Sequence, residues 1–281
     1  MRNARLTEPR SKMTLDEAIR ILRECGIKSA EEDARLIFSE IGGIARHALV
    51  LRDTECDSTQ VNEAIARRSS GEPVQHIIGS VGFYRESYEV SRDCLIPRED
   101  TELLVDYAVK HIPSGESFID ICTGSGCIAI STLKNTSETH ALAIDLSDAA
   151  LAMAKRNAER NGVSKRLMLS HGDALDFSPT EPVFAILSNP PYVTEEEYLT
   201  LEPELSFEPK MALVGGADGL DFYRRIIPNC KDRLKKGGFI AFEIGYRQAN
   251  ALAALAEKNG MTAEIHRDLS GNDRLAVLRN K

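Results

Sequence analysis

The chain has 281 residues, 42% of them hydrophobic, which is enough for one large core or for a mid-sized core with a smaller domain attached. Its 35 basic and 43 acidic residues give a formal net charge of −8, so direct DNA binding through neutralised phosphates is not expected. The six cysteines form no C-x-x-C pair and no cluster with histidine, which argues against a disulfide framework and against a metal site.

The sequence also argues against a membrane protein. No stretch approaches the roughly 20 apolar residues that a membrane span needs. Residues 1–13 are polar and basic, without the apolar core of a signal peptide. We therefore expect a cytoplasmic protein that does not bind membranes.

Residues 1–80 are expected to form a small helical domain. Thr14 can cap a first helix, and Glu17 completes a capping box with it. Apolar side chains recur at helical spacing over residues 34–41 and again over residues 61–68. Three helices of this kind indicate a small bundle with its own core.

The pattern changes at Gly82. Residues 83–90 are rich in aromatics and alternate in polarity as the strands of a β-hairpin do. A hairpin here, ending near Pro97, predicts a linker over residues 81–97. The remaining residues, 98–281, then form a second domain.

The last 170 or so residues alternate between short apolar strands and helical segments. This alternation predicts an α/β fold, with a mostly parallel sheet that carries helices on both faces. The last two strands leave no room between them for a crossover helix, so the last strand should run antiparallel. The predicted strands are residues 117–122, 140–145, 166–171, 184–188, 239–243, 262–266 and 274–278.

A glycine-rich segment, Asp120-Ile-Cys-Thr-Gly124-Ser-Gly126, stands where the first of these strands meets a helix. Glycines allow the backbone to approach a ligand closely, and a helix start offers free N–H donors to a carboxylate or phosphate. We expect a side chain at Gly126 to occupy ligand space. The same spacing fits a dinucleotide fingerprint or a simple tight turn, so a nicotinamide dehydrogenase stays open at this point.

Two acidic residues follow the next two predicted strands. Asp145 stands where a carboxylate can accept from both ribose hydroxyls, or where it can cap the following helix. Asp173, which precedes Ala174, could face an adenine or cap a turn. Both positions fit a nucleoside ligand without requiring one.

The segment Asn189-Pro190-Pro191-Tyr192 ends the fourth predicted strand. The prolines hold the backbone rigid and leave the Asn189 side-chain oxygen and the Pro190 carbonyl as acceptors for an NH2 group. Hydrogen bonds from an amide or amine NH2 to neutral acceptors raise the charge on its nitrogen as a methyl group transfers. Tyr192 could stack on the planar group. The segment therefore favours methyl transfer to an amide or amine nitrogen.

This hypothesis has alternatives and a consequence. The tetrapeptide could be only a rigid turn, and a DNA adenine-N6 methyltransferase would share its chemistry but needs a basic recognition domain. If the oxygen of Asn189 accepts from the substrate, Asn189→Asp should retain more activity than Asn189→Ala, because aspartate keeps an acceptor at that position.

Together these motifs resemble the HemK/PrmC family, the release-factor glutamine N5-methyltransferases. The resemblance covers about residues 65–278. It rests on the two motifs above and on further segments, which are Gly71-Glu-Pro73, Leu95-Ile-Pro-Arg98 with Thr101-Glu102, Gly215 to Arg224, Lys236-Gly-Gly238, Glu243-Ile-Gly245 with Gln248, and Asp268 to Arg274.

The resemblance implies a seven-stranded class I S-adenosylmethionine-dependent methyltransferase fold, preceded by a hairpin linker and a helical substrate-docking domain. It implies that S-adenosyl-L-methionine methylates the side-chain amide nitrogen of the glutamine in the Gly-Gly-Gln motif of peptide-chain release factors. Ribosomal-protein glutamine methyltransferases share much of such a site and stay an alternative.

The resemblance also implies site residues. Asn189, Pro190 and Tyr192 would be catalytic, and Asn189 to Tyr192, including Pro191, would bind the substrate glutamine. The implied cofactor contacts are Cys122, Thr123, Gly124, Ser125, Gly126, Asp145, Ala174 and Asn189. Asp173 is added to them because of its position after the third predicted strand.

The chain departs from the family pattern at a few positions. Cys122 stands where glycine is common, His76 where tyrosine is usual, and Glu99-Asp100 where Pro-Glu is usual. Ala174 stands where some members have an aromatic residue, which puts adenine stacking at that position in doubt. None of these changes touches the proposed amide acceptors.

Overall fold

The computed structural model describes residues 12–281, and the chain divides into two compact units, Met1–Gly79 and Ser80–Lys281. The prediction that residues 1–13 lack the apolar core of a signal peptide falls mostly on residues 1–11, which lie outside the described range. No helix within residues 12–281 is long and apolar enough to cross a membrane.

The first unit is a small helical domain. The predicted capping box is present, because Thr14 Oγ1 accepts from the Glu17 N–H at 3.2 Å and the Glu17 carboxylate accepts from the Thr14 N–H at 3.1 Å. This unit has its own hydrophobic core, which includes Leu22, Phe38 and Ile65. Its elements are β1 (Met13–Thr14), α1 (Leu15–Glu24), α2 (Ala30–Glu40), β2 (Glu55–Cys56), α3 (Thr59–Ser69) and α4 (Val74–Ile78).

The second unit begins with a hairpin and continues as an α/β domain. Its first elements are β3 (Ser80–Phe83), β4 (Glu86–Glu89), α5 (Glu102–His111), β5 (Ser117–Ile121), α6 (Cys127–Lys134), β6 (His140–Asp145), α7 (Asp148–Arg160) and β7 (Leu167–His171). They are followed by β8 (Val183–Ser188), α8 (Glu195–Tyr198), α9 (Asp221–Cys230), β9 (Leu234–Glu243), α10 (Ala249–Lys258), β10 (Met261–Arg267) and β11 (Asp273–Asn280).

The seven-stranded sheet has the order β10-β11-β9-β8-β5-β6-β7. Neighbouring strands from β9 to β7 are parallel, while β11 pairs antiparallel with both β9 and β10. The predicted mostly parallel sheet with an antiparallel last strand is therefore confirmed. The chain moves outward in one direction from β5 and in the other from β8, so a switch point lies between these two strands.

Helices cover both faces of the sheet. Successive residues of a buried strand point to opposite faces, and both faces carry apolar side chains that pack against helices. Phe118 of β5 packs in the same core cluster as Leu104 of α5 and Ile128 of α6. The next residue, Ile119, packs in a second cluster with Tyr223 of α9 and Leu252 of α10. The sheet is thus held rigidly between two cores, and the loops at its carboxyl edge are supported from both sides.

The hairpin differs from the prediction. Its turn falls at Tyr84, which has a φ of 58°, so the aromatic run of residues 83–90 spans the turn and the hairpin ends at Glu89. The Tyr88 hydroxyl lies 2.6 Å from Ser131 Oγ, and the Glu89 N–H donates to Asn157 Oδ1 at 2.7 Å. The hairpin is therefore fixed to α6 and α7 in the second unit.

Candidate active site

The carboxyl ends of the central strands form one edge of the sheet, and a cavity of about 370 Å³ opens there. It is called the first cavity below. Loops after β5, β6, β7 and β8 all contribute to its wall. The residues expected to bind cofactor that line it are Cys122, Thr123, Gly124, Ser125, Asp145, Asp173, Ala174 and Asn189.

The side chain of Asp120 holds the glycine loop, residues 122–126, in place through hydrogen bonds. This carboxylate accepts from Thr123 Oγ1 at 2.6 Å and from the Ala129 N–H at 3.2 Å. Asp120 is fully buried, and this burial raises its pKa to about 7. The two contacts join the end of β5 to the first turn of α6, so the loop between them has little freedom.

The expectation for Gly126 is wrong. A Cβ at Gly126 would lie 2.9 Å from Ile130 Cδ1 and 3.1 Å from Ala154 Cβ, between α6 and α7 rather than in the first cavity. Glycine is needed there because φ is +82° and the two helices pack closely. Gly124 is the loop glycine that faces the cavity, since a Cβ there would meet only Cys94 within 4 Å, at 3.8 Å.

Asp145 holds the opposite side of the loop. Its Oδ2 accepts from the Gly124 N–H at 2.8 Å, and its Oδ1 accepts from the Ser147 N–H at 2.9 Å. The N-cap of α7 is Ser147, whose side chain accepts from the Ala150 N–H, so Asp145 is not the helix cap. Its carboxylate is half-buried and lines the first cavity, where it retains lone pairs for a ligand.

Asp173 and Ala174 stand at the end of β7. Asp173 Oδ1 accepts from the Leu175 N–H at 2.9 Å, which closes a tight turn. Within residues 12–281, nothing donates to Asp173 Oδ2, and the Ala174 N–H has no acceptor. A carboxylate oxygen and a backbone N–H are thus available side by side at the cavity wall.

The first cavity is acidic. No lysine is among the described residues that line it, and the guanidinium of Arg98 already pairs with Glu208. Four carboxylates belong to the lining, those of Asp93, Asp145, Asp173 and Asp221, and of these Asp221 pairs with Arg224 at 3.2 Å. Such a wall favours a cationic or hydroxyl-rich ligand and disfavours a pyrophosphate.

The tetrapeptide separates the first cavity from a second one of about 230 Å³. Pro191 lines the first cavity, Pro190 and Tyr192 line the second, and Asn189 lines both. The rest of the second wall is mostly apolar, formed by Leu95, Val193, Leu201, Leu205, Ala212 and Leu213, with Arg98 and Glu243.

The proposed acceptors are free within the described chain. Asn189 Nδ2 donates to Thr101 Oγ1 at 3.2 Å, so the amide nitrogen is engaged. No residue between 12 and 281 donates to Asn189 Oδ1 or to the Pro190 carbonyl. The donor end of the Asn189 amide therefore faces protein, and its acceptor end is available.

Tyr192 is held by a buried carboxylate. Its hydroxyl donates to Glu243 Oε1 at 3.2 Å. Burial raises the pKa of Glu243, while Thr101 and Arg274 act in the opposite direction. Burial, and then the charge of Glu243, raise the pKa of Tyr192, so its hydroxyl stays protonated. The tyrosine ring is thereby fixed as a wall of the second cavity.

A second group of contacts supports the backbone of the tetrapeptide. Gln248 Nε2 donates to the carbonyls of Tyr192 and Gly219, both at 3.1 Å, and Oε1 accepts from the Gly245 N–H at 2.9 Å. A Cβ at Gly215 would overlap the Pro191 carbonyl, so only glycine allows this segment to approach so closely. The motifs at residues 215–224 and 243–248 thus form one support.

Three residues of this support were named in the sequence without a role, namely Thr101, Glu243 and Gln248. They follow no local pattern of their own, because each acts across 51 to 142 residues of sequence on the tetrapeptide or on one another. Only the resemblance, which includes the segments around them, marks them before the structure is known.

A sheet of this order, with the ligand cavity at the carboxyl ends of its central strands, defines a class I methyltransferase fold. A solved structure of a methyltransferase from Pyrococcus furiosus matches it with a TM-score of 0.51 at 18% identity, covering 68% of this chain and 86% of that one, which supports the fold alone. The model of the PrmC N-terminal domain matches residues 14–79, and that of the methyltransferase small domain matches residues 99–205.

The sequence relatives are closer. The release factor glutamine methyltransferase of Caulobacter vibrioides is 38% identical over 264 residues, 91% of each chain. That of Cereibacter sphaeroides is 38% identical over 271 residues, 94% of this chain and 96% of the relative. The chain belongs to the release factor glutamine methyltransferase family and is a methyltransferase. The family and the fold predicted from the sequence are confirmed, and the DNA methyltransferase and dehydrogenase alternatives are not favoured.

Proposed function

We propose that the chain transfers a methyl group from S-adenosyl-L-methionine to the side-chain amide nitrogen of the glutamine in the Gly-Gly-Gln motif of peptide-chain release factors. The observation that carries this proposal is the position of Asn189. It stands between an acidic cavity and a mostly apolar one, and its side-chain oxygen and the next carbonyl have no donor among residues 12–281.

The first cavity fits S-adenosylmethionine. Its four carboxylates suit a ligand that carries a sulfonium cation and a ribose, and they would repel the pyrophosphate of a dinucleotide. Asp145 would accept from the ribose hydroxyls. Asp173 Oδ2 and the Ala174 N–H match the amine and ring nitrogen on the edge of adenine, and the start of α6 offers N–H groups to the methionine carboxylate. When bound, the cofactor supplies an electrophilic methyl group.

The second cavity fits the glutamine side chain. The two N–H groups of a primary amide would donate to Asn189 Oδ1 and the Pro190 carbonyl. An amide nitrogen is a weak nucleophile because its lone pair is delocalised, and these neutral acceptors stabilise the positive charge that grows on it during transfer. Pro191 keeps the backbone rigid, and the Tyr192 ring bounds the amide plane. The nitrogen would form a bond to the methyl carbon as the bond from that carbon to the cofactor sulfur breaks, with the electron pair staying on sulfur, and the nitrogen would lose one proton to solvent.

The first unit, Met1–Gly79, is proposed to dock the release factor. It has its own core, and the second unit contains both cavities without it. Val50 and Leu51 are adjacent and expose 73% and 65% of their surface, so they offer a partner two neighbouring apolar side chains.

A charge at this exposed pair tests the docking role. Leu51→Asp should lower activity on a whole release factor by about tenfold and leave activity on a short Gly-Gly-Gln peptide unchanged. Met168→Asp, at an equally exposed apolar position on β7, is the matched control and should change neither activity. An equal loss on both substrates in the Leu51 variant would refute docking.

Mapping of the transferred methyl group tests the proposed function. The wild-type chain is incubated with methyl-labelled S-adenosylmethionine and, separately, a release factor, a ribosomal protein and duplex DNA. We expect label on the glutamine of the Gly-Gly-Gln motif, and roughly 100-fold less label on that glutamine with Asn189→Ala at matched times. Label confined to the ribosomal protein or to adenine would replace this proposal with one of the alternatives.

A further inference from the structure

Two buried residues form a chain of hydrogen bonds with the Asn189 side chain. Thr101 stands just before α5 and is 2% exposed, and Glu243 ends β9 and is 3% exposed. Thr101 Oγ1 donates to Glu243 Oε2 at 2.5 Å. A threonine hydroxyl carries a single hydrogen, so this contact leaves Thr101 with lone pairs only.

The remaining lone pairs of Thr101 face Asn189. Asn189 Nδ2 lies 3.2 Å from Thr101 Oγ1, a donor opposite an acceptor. The two ends of an asparagine amide have nearly the same shape, so packing alone does not select between its two orientations. The hydrogen-bond partner selects it, and Thr101 can satisfy only the NH2 end.

Glu243 is suited to remain the acceptor in this chain of contacts. Its other oxygen accepts from the Tyr192 hydroxyl, so both oxygens receive a hydrogen bond. Arg274 lies nearby and pairs with Asp100 at 3.2 Å and with Asp268 at 3.5 Å. The guanidinium offsets part of the cost of burying a carboxylate, which would otherwise be large.

We propose that Thr101 and Glu243 are positioning residues that set the polarity of the Asn189 amide, so that its oxygen faces the substrate nitrogen. The inference rests on the proposed function, because it assumes that the acceptor is an NH2 group. In the opposite orientation the Asn189 NH2 would face the substrate NH2, and two donors cannot bond to each other. Thr101 borders the first cavity and Glu243 the second, but their polar atoms bond to each other, to Asn189 and to Tyr192, so the pair would act on methyl transfer through the Asn189 amide.

Variants at Thr101 test this directly. Thr101→Val keeps the shape and removes the hydroxyl, and it should lower kcat about tenfold while the cofactor Kd stays within about twofold. Thr101→Ser restores the hydroxyl and should stay within about threefold of wild type. Thr139→Val is the matched control, since Thr139 is also fully buried and donates to the Ser137 carbonyl away from both cavities. It should retain wild-type kcat.

Glu243→Gln provides an independent arm. Its amide can donate to Thr101 Oγ1, which would free the hydroxyl hydrogen to bond Asn189 Oδ1 and invert the amide. We expect a loss of kcat at least as large as in Thr101→Val. If Thr101→Val proves unfolded by circular dichroism, this variant decides, and a wild-type kcat in Glu243→Gln overturns the proposal.

A double-mutant cycle separates positioning from general damage. In an Asn189→Ala background no amide remains to be oriented, so adding Thr101→Val should change kcat by less than about twofold. An equal fold loss in both backgrounds overturns the proposal, as does a serine variant no better than valine. Failure of the proposed function looks different, because the wild-type chain would then leave glutamine unmethylated.

Discussion

The two ends of the site are held in different ways. At the cofactor end, which comprises the glycine loop, Asp145 and Asp173, the side chain of Asp120 reaches across 3 and 9 residues, and that of Asp145 across 21. At the acceptor end, which comprises the tetrapeptide with Thr101, Glu243 and Gln248, the contacts of these three side chains with the tetrapeptide or with one another cross 51 to 142 residues. The cofactor end is thus held by contacts of shorter sequence separation than the tetrapeptide, with the longest hydrogen bond to the backbone of its loop, from Asn157 to the Ser125 carbonyl, crossing 32 residues.

This difference assigns different tasks to the two ends. Carboxylates close in sequence hold the backbone of the cofactor end, so its shape depends on charge and burial at few positions. Donors and acceptors from distant elements hold the acceptor end, most of them neutral apart from Glu243, so its chemistry depends on the direction of each hydrogen bond. Variants should therefore affect stability and cofactor affinity at one end, and turnover at the other.

The largest effect is expected in the pH dependence of the unfolding free energy, through the buried carboxyl group of Asp120. Burial raises the pKa of Asp120 to about 7 from its ordinary value of 3.8. Between these values the unfolded chain loses the proton and the folded chain keeps it, so stability falls as pH rises through this window and is level above it. From pH 4 to pH 7, the unfolding free energy of the wild type should therefore fall by roughly 3 to 4 kcal/mol more than that of Asp120→Asn.

Urea titrations of both chains at several pH values measure this difference. Asp148→Asn, an exposed carboxylate in the first turn of α7, serves as the control and should show no comparable change relative to wild type. Parallel curves for wild type and Asp120→Asn would mean that Asp120 ionises in the folded chain as it does in water.

The next largest effect concerns turnover at the acceptor end. Asn189→Ala removes one aligned acceptor from a mostly apolar site and should lower kcat roughly 100-fold. The cofactor Kd should stay within a few-fold, although Asn189 borders both cavities. Single-turnover methylation with saturating cofactor measures the rate. A loss expressed mainly in cofactor affinity would place Asn189 with the cofactor end.

The aspartate companion sharpens this result, because the structure reverses the expectation from sequence. Asn189 Nδ2 donates to Thr101, and an aspartate has no donor for that contact and brings a second carboxylate towards Glu243. We therefore expect Asn189→Asp to be no faster than Asn189→Ala in the same assay. A clearly faster aspartate variant would mean that acceptance alone matters.

The same contrast explains what the sequence could predict. Motifs at strand ends placed Asp145, Asp173 and the tetrapeptide at one edge of the sheet, since parallel strands bring their carboxyl ends together. Periodicity does not give the direction of a Cβ in an irregular loop, so the argument for Gly126 failed. The hairpin was placed too far along the chain because the aromatic run that marked it spans the turn at Tyr84. The roles of Thr101 and Glu243 required the fold, which alone brings them within 2.5 Å.

A smaller effect is expected for the ribose contact at the cofactor end. Asp145→Asn removes the charge and one acceptor oxygen, and it should weaken cofactor binding about tenfold by calorimetry, as the loss of a charged hydrogen bond does. At saturating cofactor, kcat should stay near that of wild type. Asp148→Asn is again the control, because this residue follows Asp145 closely but lines neither cavity. A fall in kcat without a change in Kd would contradict the division between the two ends.

The smallest effect is expected at Gln248, which holds the tetrapeptide backbone through neutral contacts. Gln248→Ala removes two donors and one acceptor that connect Tyr192, Gly219 and Gly245, and the freed carbonyls can be partly rehydrated. We expect a loss of about 1 to 2 kcal/mol in unfolding free energy in urea, and a few-fold loss of kcat with cofactor affinity unchanged. Gln248→Glu keeps the acceptor for Gly245 but neither donor, so it should behave like the alanine variant, whereas Gln60→Ala, exposed on α3, should behave like wild type. A full loss of cofactor binding in Gln248→Ala would show that the two ends are mechanically joined, and the division between them would then be wrong.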